Sequence, residues 1–200
     1  LAAKKLHKSV AHVEAGLRSF DIKMPEEINR ILTDRVSDIL YCPTDQAVKN
    51  LELEGFANFP ARVLNLGDVM YDAVLHTQDG GLRAVLPSSL PERFAICTLH
   101  RAENVDRPER LCSIISALDE ISEDMEVIVP LHPRTRAAIR NFGIDTHIRM
   151  IDPVGYVEML GLVSKSSLVL TDSGGLQKEA FFLGKFCITL RATTEWTELI

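Results

Sequence analysis

Leu168-Val169-Leu170-Thr171-Asp172-Ser173-Gly174-Gly175-Leu176-Gln177-Lys178-Glu179-Ala180 carries an apolar run into a Thr-Asp-Ser-Gly-Gly break and out into a helical stretch. A continuous apolar run reads as a strand buried on both faces, so the segment is a strand, a tight turn and a helix. Ser173 is a good N-cap. The two glycines let another molecule approach the backbone where free N–H groups and the positive end of the helix dipole point outward. Such a turn suits an anion, usually phosphate. An ordinary capped junction whose glycines serve only the turn fits the same residues, and this stretch leaves both readings open, because a glycine pair is less specific than a full phosphate-loop signature.

Outward from this stretch, strands alternate with helices. Residues 94–99, 127–130, 148–151 and 186–190 read as strands, and 108–121, 134–141 and 154–163 as helices. Nearer the start, 9–13, 39–42 and 62–66 read as strands and 1–8, 25–36 and 44–54 as helices, the last ended by Gly55. Pro25 suits the first position of its helix, with Glu26 and Glu27 supplying negative charge in the first turn. Ile28, Ile31, Leu32 and Val36 keep helical spacing and predict one buried apolar face. From 67 to 91 the sequence reads as polar loop, including Gly80-Gly81, and marks a domain crossing. The alternation predicts an α/β protein whose parallel sheets are wrapped by helices on both faces.

A formal net charge of −6 argues against a nucleic-acid or anionic-membrane partner, since both reward clustered Lys and Arg. An anionic ligand must then be held by local donors. Cys42, Cys97, Cys112 and Cys187 show no zinc-ribbon spacing, and three lie in apolar runs; they read as reduced thiols of a cytoplasmic protein. No apolar run approaches the roughly 20 residues needed to span a bilayer. The chain opens without Met, inside a helix, and reads as a piece of something longer.

In parallel α/β sheets ligands gather at the carboxyl ends of the strands. Those ends carry Glu14 and Arg18; Thr98, His100, Arg101, Glu103 and Asn104; His132 and Arg134; the Ser-Gly-Gly turn with Glu179; and Arg191, Thr193, Thr194 and Glu195. Each has a quieter explanation. Glu26 can pair with Arg30 at i,i+4, Glu14 with Arg18, and His132 can cap a helix. His100 with Glu103 lacks a third ligand at a recognisable spacing, so no metal is expected. Arg101, directly after His100, suits a phosphate clamp.

Five segments, His12 to Arg18, Pro25 to Arg30, Thr98 to Asn104, Leu131 to Pro133 and Thr171 to Gly175, stand in the order found in the non-hydrolysing UDP-N-acetylglucosamine 2-epimerases, which the chain resembles from Ala11 to Ile200. The resemblance implies a glycosyltransferase-B-like α/β fold of two Rossmann-like parallel-sheet domains, the first incomplete: residues 1–66 close the first domain, and 67–200 form most of a second, UDP-binding one. The family's opening strands are expected before Leu1, and the return to the first domain after Ile200. Strands 9–13 and 39–42 are then expected to have exposed edges.

The implied activity is epimerisation at C2 of a UDP-N-acetylated sugar, through expulsion and re-addition of UDP, with no cofactor. By motif, Glu14, Glu26 and His100 are the catalytic candidates, His100 contacting the phosphates or assisting their departure. Arg18, Arg101, Thr194 and Glu195 are carried as substrate contacts. Ser173, Gly174 and Gly175 hold the pyrophosphate, Glu179 the ribose hydroxyls, and Val154 and Met159 border the uracil. The resemblance also implies a homodimer and, near His132 and Arg134, a second, regulatory UDP-sugar. Departures from the pattern are Met159 where an aromatic residue is common, Lys178 in place of an acid, and Trp196 where many members place a cation. Thr98 to Asn104 and Thr194 to Trp196 also resemble the branch that epimerises UDP-2,3-diacetamido-glucuronate. A glycosyltransferase of the same architecture and a non-catalytic UDP-sugar module are the competing classes.

Overall fold

The computed structural model describes residues 1–79, 84–87 and 89–199, so the expected Gly80-Gly81 turn lies outside the described residues. The chain forms two compact units, Leu1–Ala73 with Ala192–Ile200, and Val74–Arg191.

In the first unit, α1 (Ala2–Lys5) precedes β1 (Ala11–Val13), α2 (Pro25–Val36), β2 (Ile39–Cys42), α3 (Asp45–Leu53) and β3 (Arg62–Asn65). The three strands are parallel in the order β1-β2-β3. Residues 39–42 are therefore the paired centre of the sheet, not an exposed edge. Thr44 caps α3 through its side chain, which accepts from the N–H of Ala47, and Gly55 follows at φ 81. Ala15, Leu17, Leu40, Cys42, Ala47, Leu51 and Phe56 form the core, and Trp196 joins them at 4% exposure. Residues 192–200 thus already belong with the first unit, a return expected only beyond Ile200. Trp196, which replaces a cation in the family pattern, is a core residue here.

Two expectations fail in instructive ways. The apolar stripe of α2 does not face the core: Ile28 and Leu32 are 44% and 47% exposed, whereas Glu27 and Asp34 are buried. The buried side is polar because it satisfies the loop after β1, as described below. Residues 69–79, read as loop, form a helix, α4 (Val69–Asp79), opened by the Asp68 carboxylate, which accepts from the N–H of Met70. Its weak apolar periodicity hid it.

The second unit runs β4 (Phe94–Thr98), α5 (Ala102–Val105), α6 (Pro108–Asp124), β5 (Glu126–Pro130), α7 (Pro133–Asn141), β6 (Arg149–Ile151), α8 (Tyr156–Lys165), β7 (Leu168–Thr171), α9 (Gly174–Phe182) and β8 (Cys187–Thr189). All five strands are parallel in the order β6-β5-β4-β7-β8. Successive residues alternate between two buried faces. Ala95, Cys97, Val127, Val129 and Leu170 pack with Leu111, Ile115, Leu118 and Ile139 of α6 and α7. Phe94, Ile96, Ile128 and Val169 pack with Leu162, Val163, Leu176 and Ala180 of α8 and α9. The chain winds outward from β4 through β5 to β6, then returns to β7 on the other side. The order reverses between β4 and β7, where open α/β sheets leave a crevice.

Gly16 sits at φ +80, and a Cβ there would lie 2.4 Å from the carbonyl oxygen of Ala47; Gly67 has a similar φ of +83 but nothing within 4 Å. Gly67→Ala should cost about 1 kcal/mol, the left-handed penalty alone. Gly16→Ala should cost at least twice as much, roughly 2–4 kcal/mol, because backbone must also move. Urea denaturation of the two variants measures the difference.

Candidate active site

In the first unit, Glu14 follows β1 at φ 73, an uncommon conformation for a side chain with a Cβ. Its N–H and that of Ala15 both donate to the Tyr41 carbonyl. Glu14 lines a cavity of about 200 Å³ with Tyr41, Pro43, Gly67 and Asp68, at the carboxyl ends of the three strands. Glu26 is exposed in the first turn of α2.

The turn after Glu14 is tied down by buried charge. Asp34, fully buried, accepts from the Gly16 N–H at 3.2 Å and from the Arg18 guanidinium at 2.8 Å, and lies 2.6 Å from His12 Nδ1. Arg18 also donates to both Glu54 oxygens and to the Leu17 carbonyl. Burial alone would lower its pKa, but the hydrogen bonds to Glu54 and Asp34 outweigh it and raise it. Arg18, expected as a substrate contact, has its side chain 1% exposed and is held by Asp34, Glu54 and the Leu17 carbonyl as a structural bolt. Arg30 likewise lies 3.2 Å from Glu27, not Glu26, and 3.7 Å from Glu195. Glu27 accepts from the N–H groups of Ser19 and Phe20. Thr194 and Glu195 belong to this unit, and Thr194 Oγ1 accepts from the Trp196 N–H.

In the second unit a cavity of about 390 Å³ opens at the β4–β7 reversal, lined by Thr98, His100, His132, Val154, Met159, Ser173, Gly175 and Glu179 among others. Thr98 and Thr171, opposite each other at the strand ends, share a 2.6 Å hydrogen bond between hydroxyls. Ser173 caps α9, its Oγ accepting from Leu176, which directs the first N–H groups of the helix toward the turn. The anion-binding reading of this turn thus acquires a cavity in front of it.

Asp172 lies beneath this rim with 0% exposure. Its oxygens accept from the N–H groups of His100 (3.0 Å) and Arg101 (2.9 Å) and from Asn104 Nδ2 (3.1 Å), and one lies 3.2 Å from His100 Nδ1. Burial alone would push its carboxyl up; the hydrogen bonds from His100, Arg101 and Asn104 outweigh it and hold the carboxyl below the usual range. Asn104 also donates to the Leu190 carbonyl and accepts from Arg110. Asp172 stands in the Thr171 to Gly175 segment but is not among the expected site residues; its signal in the sequence is a carboxylate directly after a buried strand. The His100 side chain stays 48% exposed. Arg101 contributes its backbone N–H here, at the start of α5. His132 does cap α7, its Nδ1 accepting from Arg134, whose side chain pairs with Asp106.

Glu179 is 7% exposed, and burial pushes its carboxyl up to about 7, with Lys178 pulling the other way. Tyr156, not foreseen, has its phenol raised by burial and by the nearby Glu179 charge. Among the described residues no group of three or more His, Cys, Asp or Glu is placed to hold a metal. No helix among them is long and apolar enough to cross a membrane.

With this geometry in hand, comparison with known proteins is decisive: residues 1–200 match the family model described as UDP-N-acetylglucosamine 2-epimerase. The chain belongs to that family. It is 56% identical over 203 residues to the UDP-2,3-diacetamido-2,3-dideoxy-D-glucuronate 2-epimerase of Pseudomonas aeruginosa, covering 100% of this chain and 56% of the relative. It is 44% identical to the UDP-N-acetylglucosamine 2-epimerase of Methanocaldococcus jannaschii, covering 58% of that protein. A crystal structure of M. jannaschii UDP-GlcNAc 2-epimerase in complex with UDP-GlcNAc and UDP superimposes with a TM-score of 0.87 at 43% identity, over 98% of this chain and 57% of that one. The Neisseria meningitidis epimerase bound to UDP-GlcNAc gives 0.79 at 28% identity, covering 99% and 57%. The chain therefore spans a little over half the length of these epimerases, and its two parallel-sheet units are of their glycosyltransferase-B-like kind.

A buried carboxyl raised in the fold binds its proton more tightly than in the unfolded chain, so stability falls as pH rises from the unfolded value toward about 7 and then levels. Glu179→Gln should remove that dependence. Urea midpoints compared across the window should show wild type losing ground to the variant, by on the order of 3 kcal/mol at most.

Proposed function

We propose that the protein epimerises a UDP-N-acetylated sugar at C2, interconverting UDP-N-acetylglucosamine and UDP-N-acetylmannosamine by eliminating and re-adding UDP. The observation that carries this is the cavity at the β4–β7 reversal, where the Ser173-capped start of α9, His100 and Glu179 share one lining with apolar Val154 and Met159. Helix-start N–H groups at Gly174 and Gly175 suit a diphosphate, and the His100 ring can donate to the same group. Glu179 can accept from ribose hydroxyls once ionised, and Val154 and Met159 suit the faces of a uracil ring. Glu14 and Glu26 are the acid and base for the C2 proton, each a carboxylate with access to solvent or a cavity. The buried Arg18 is left out of the substrate contacts.

A second substrate is favoured by the 56% identity to the P. aeruginosa enzyme, that is, a UDP-2,3-diacetamido-glucuronate. The reading carries with it a cytoplasmic homodimer that feeds polysaccharide biosynthesis, with a regulatory UDP-sugar near His132 and Arg134.

Proton NMR of each nucleotide sugar incubated with the protein in deuterium oxide tests the reaction. An epimerase exchanges the C2 proton and accumulates the C2 epimer, faster with its own substrate. Glu14→Gln and Glu26→Gln should each slow exchange by about 100-fold or more. Binding with no deuterium at C2 would instead indicate a binding module, and sugar transfer indifferent to both substitutions a glycosyltransferase.

A further inference from the structure

His100 has two ring nitrogens, and only one of them can meet a diphosphate in the cavity while the other faces Asp172. We propose that Asp172 is a positioning residue that holds the neutral His100 ring in one tautomer, with the proton on Nδ1, so that Nε2 is the nitrogen presented to the cavity. The inference about the tautomer stands on geometry alone; its use on a diphosphate rests on the proposed function.

An ionised carboxylate can only accept hydrogen bonds, and its two oxygens offer about four lone-pair sites. Four donors surround Asp172: two backbone N–H groups, the Asn104 amide and His100 Nδ1. Nδ1 lies 3.2 Å from a carboxylate oxygen, which favours the proton on that nitrogen. The backbone contacts do more than anchor a loop, because they place the ring's own main chain on the carboxylate that its side chain touches. No rotation about the Cβ–Cγ bond keeps Nδ1 on Asp172 while turning it to the cavity. When the ring gains a second proton, Nε2–H donates to a phosphate oxygen, and the Asp172 carboxylate stabilises the imidazolium. The one bond formed is Nε2–H, its proton taken from solvent, and no bond between heavy atoms changes.

Long-range proton–nitrogen correlation NMR on ligand-free protein labelled with 15N-histidine, well above the ordinary imidazole pKa of ~6.5, reads the tautomer directly. His100→Gln assigns the signal. The expected result is a pyrrole-type Nδ1 and a pyridine-type Nε2; an Nε2–H form or an even mixture overturns the proposal, whether or not any variant folds. Asp172→Asn, whose amide both donates and accepts, should mix the tautomers and weaken UDP binding about tenfold. In a His100→Gln background the same substitution should cost little more. Equal loss in both backgrounds would make Asp172 a structural anchor only and overturn its role toward the ligand. A fixed Nδ1–H tautomer together with no UDP binding would uphold the positioning and sink the UDP reading instead.

Discussion

A carboxylate removed from water is costly unless donors replace its hydration, and Asp172 is removed from water completely. Its donors come from the turn after β4 and from α5, while the residue itself directly follows β7. Removing any one donor would leave charge unsatisfied in a low dielectric. The strand ends on either side of the β4–β7 reversal are therefore held in one geometry, and Asn104 extends the network to the carbonyl of Leu190 beyond β8. The first unit uses the same device. Asp34, equally buried, gathers Gly16, Arg18 and His12 and so fixes the turn that holds Glu14 at positive φ. In both units a buried aspartate organises the backbone at the carboxyl end of a parallel sheet, where chemistry in such folds takes place.

The cavity of the second unit combines features that oppose one another. The start of α9 favours negative charge, yet Glu179, in the same helix and the same cavity, is a carboxyl in a poorly solvated position. With its carboxyl pushed up to about 7, Glu179 is poised between its neutral and ionised forms near neutral pH, and hydroxyl donors would favour the ionised one. A ligand with an anion at one end and vicinal hydroxyls at the other satisfies both groups; a simple anion satisfies only one. Apolar Val154, Met159 and Leu176 on the remaining lining favour an attached planar ring.

Most of the fold was legible because period and punctuation agreed. The strand Leu168–Thr171 and the helices Pro25–Val36 and Pro108–Asp124 begin where the apolar run or proline places them. What was illegible depended on partners distant in sequence. Glu27 and Asp34 turn the polar side of α2 inward because N–H groups of residues 16, 19 and 20 need acceptors, so an apolar stripe at helical spacing pointed the wrong way. Arg18 followed a strand as a ligand-binding cation would, but the carboxylates that bury it lie 16 and 36 residues away. Trp196 belongs to a core whose other buried members end at Phe56. Of the expected site residues, His100, Ser173 and Gly175 stand in the quoted segments and Glu179, Val154 and Met159 follow from the resemblance; all six line one cavity. Asp172 escaped because a residue that acts through another leaves no signature of its own.

The most direct test of the account is a crystal structure of the protein with UDP. The diphosphate should lie on the N–H groups of Gly174 and Gly175 within reach of His100 Nε2, with the ribose hydroxyls on Glu179 and the uracil beside Val154 and Met159. UDP bound elsewhere, or with its diphosphate turned away from the start of α9, would contradict it.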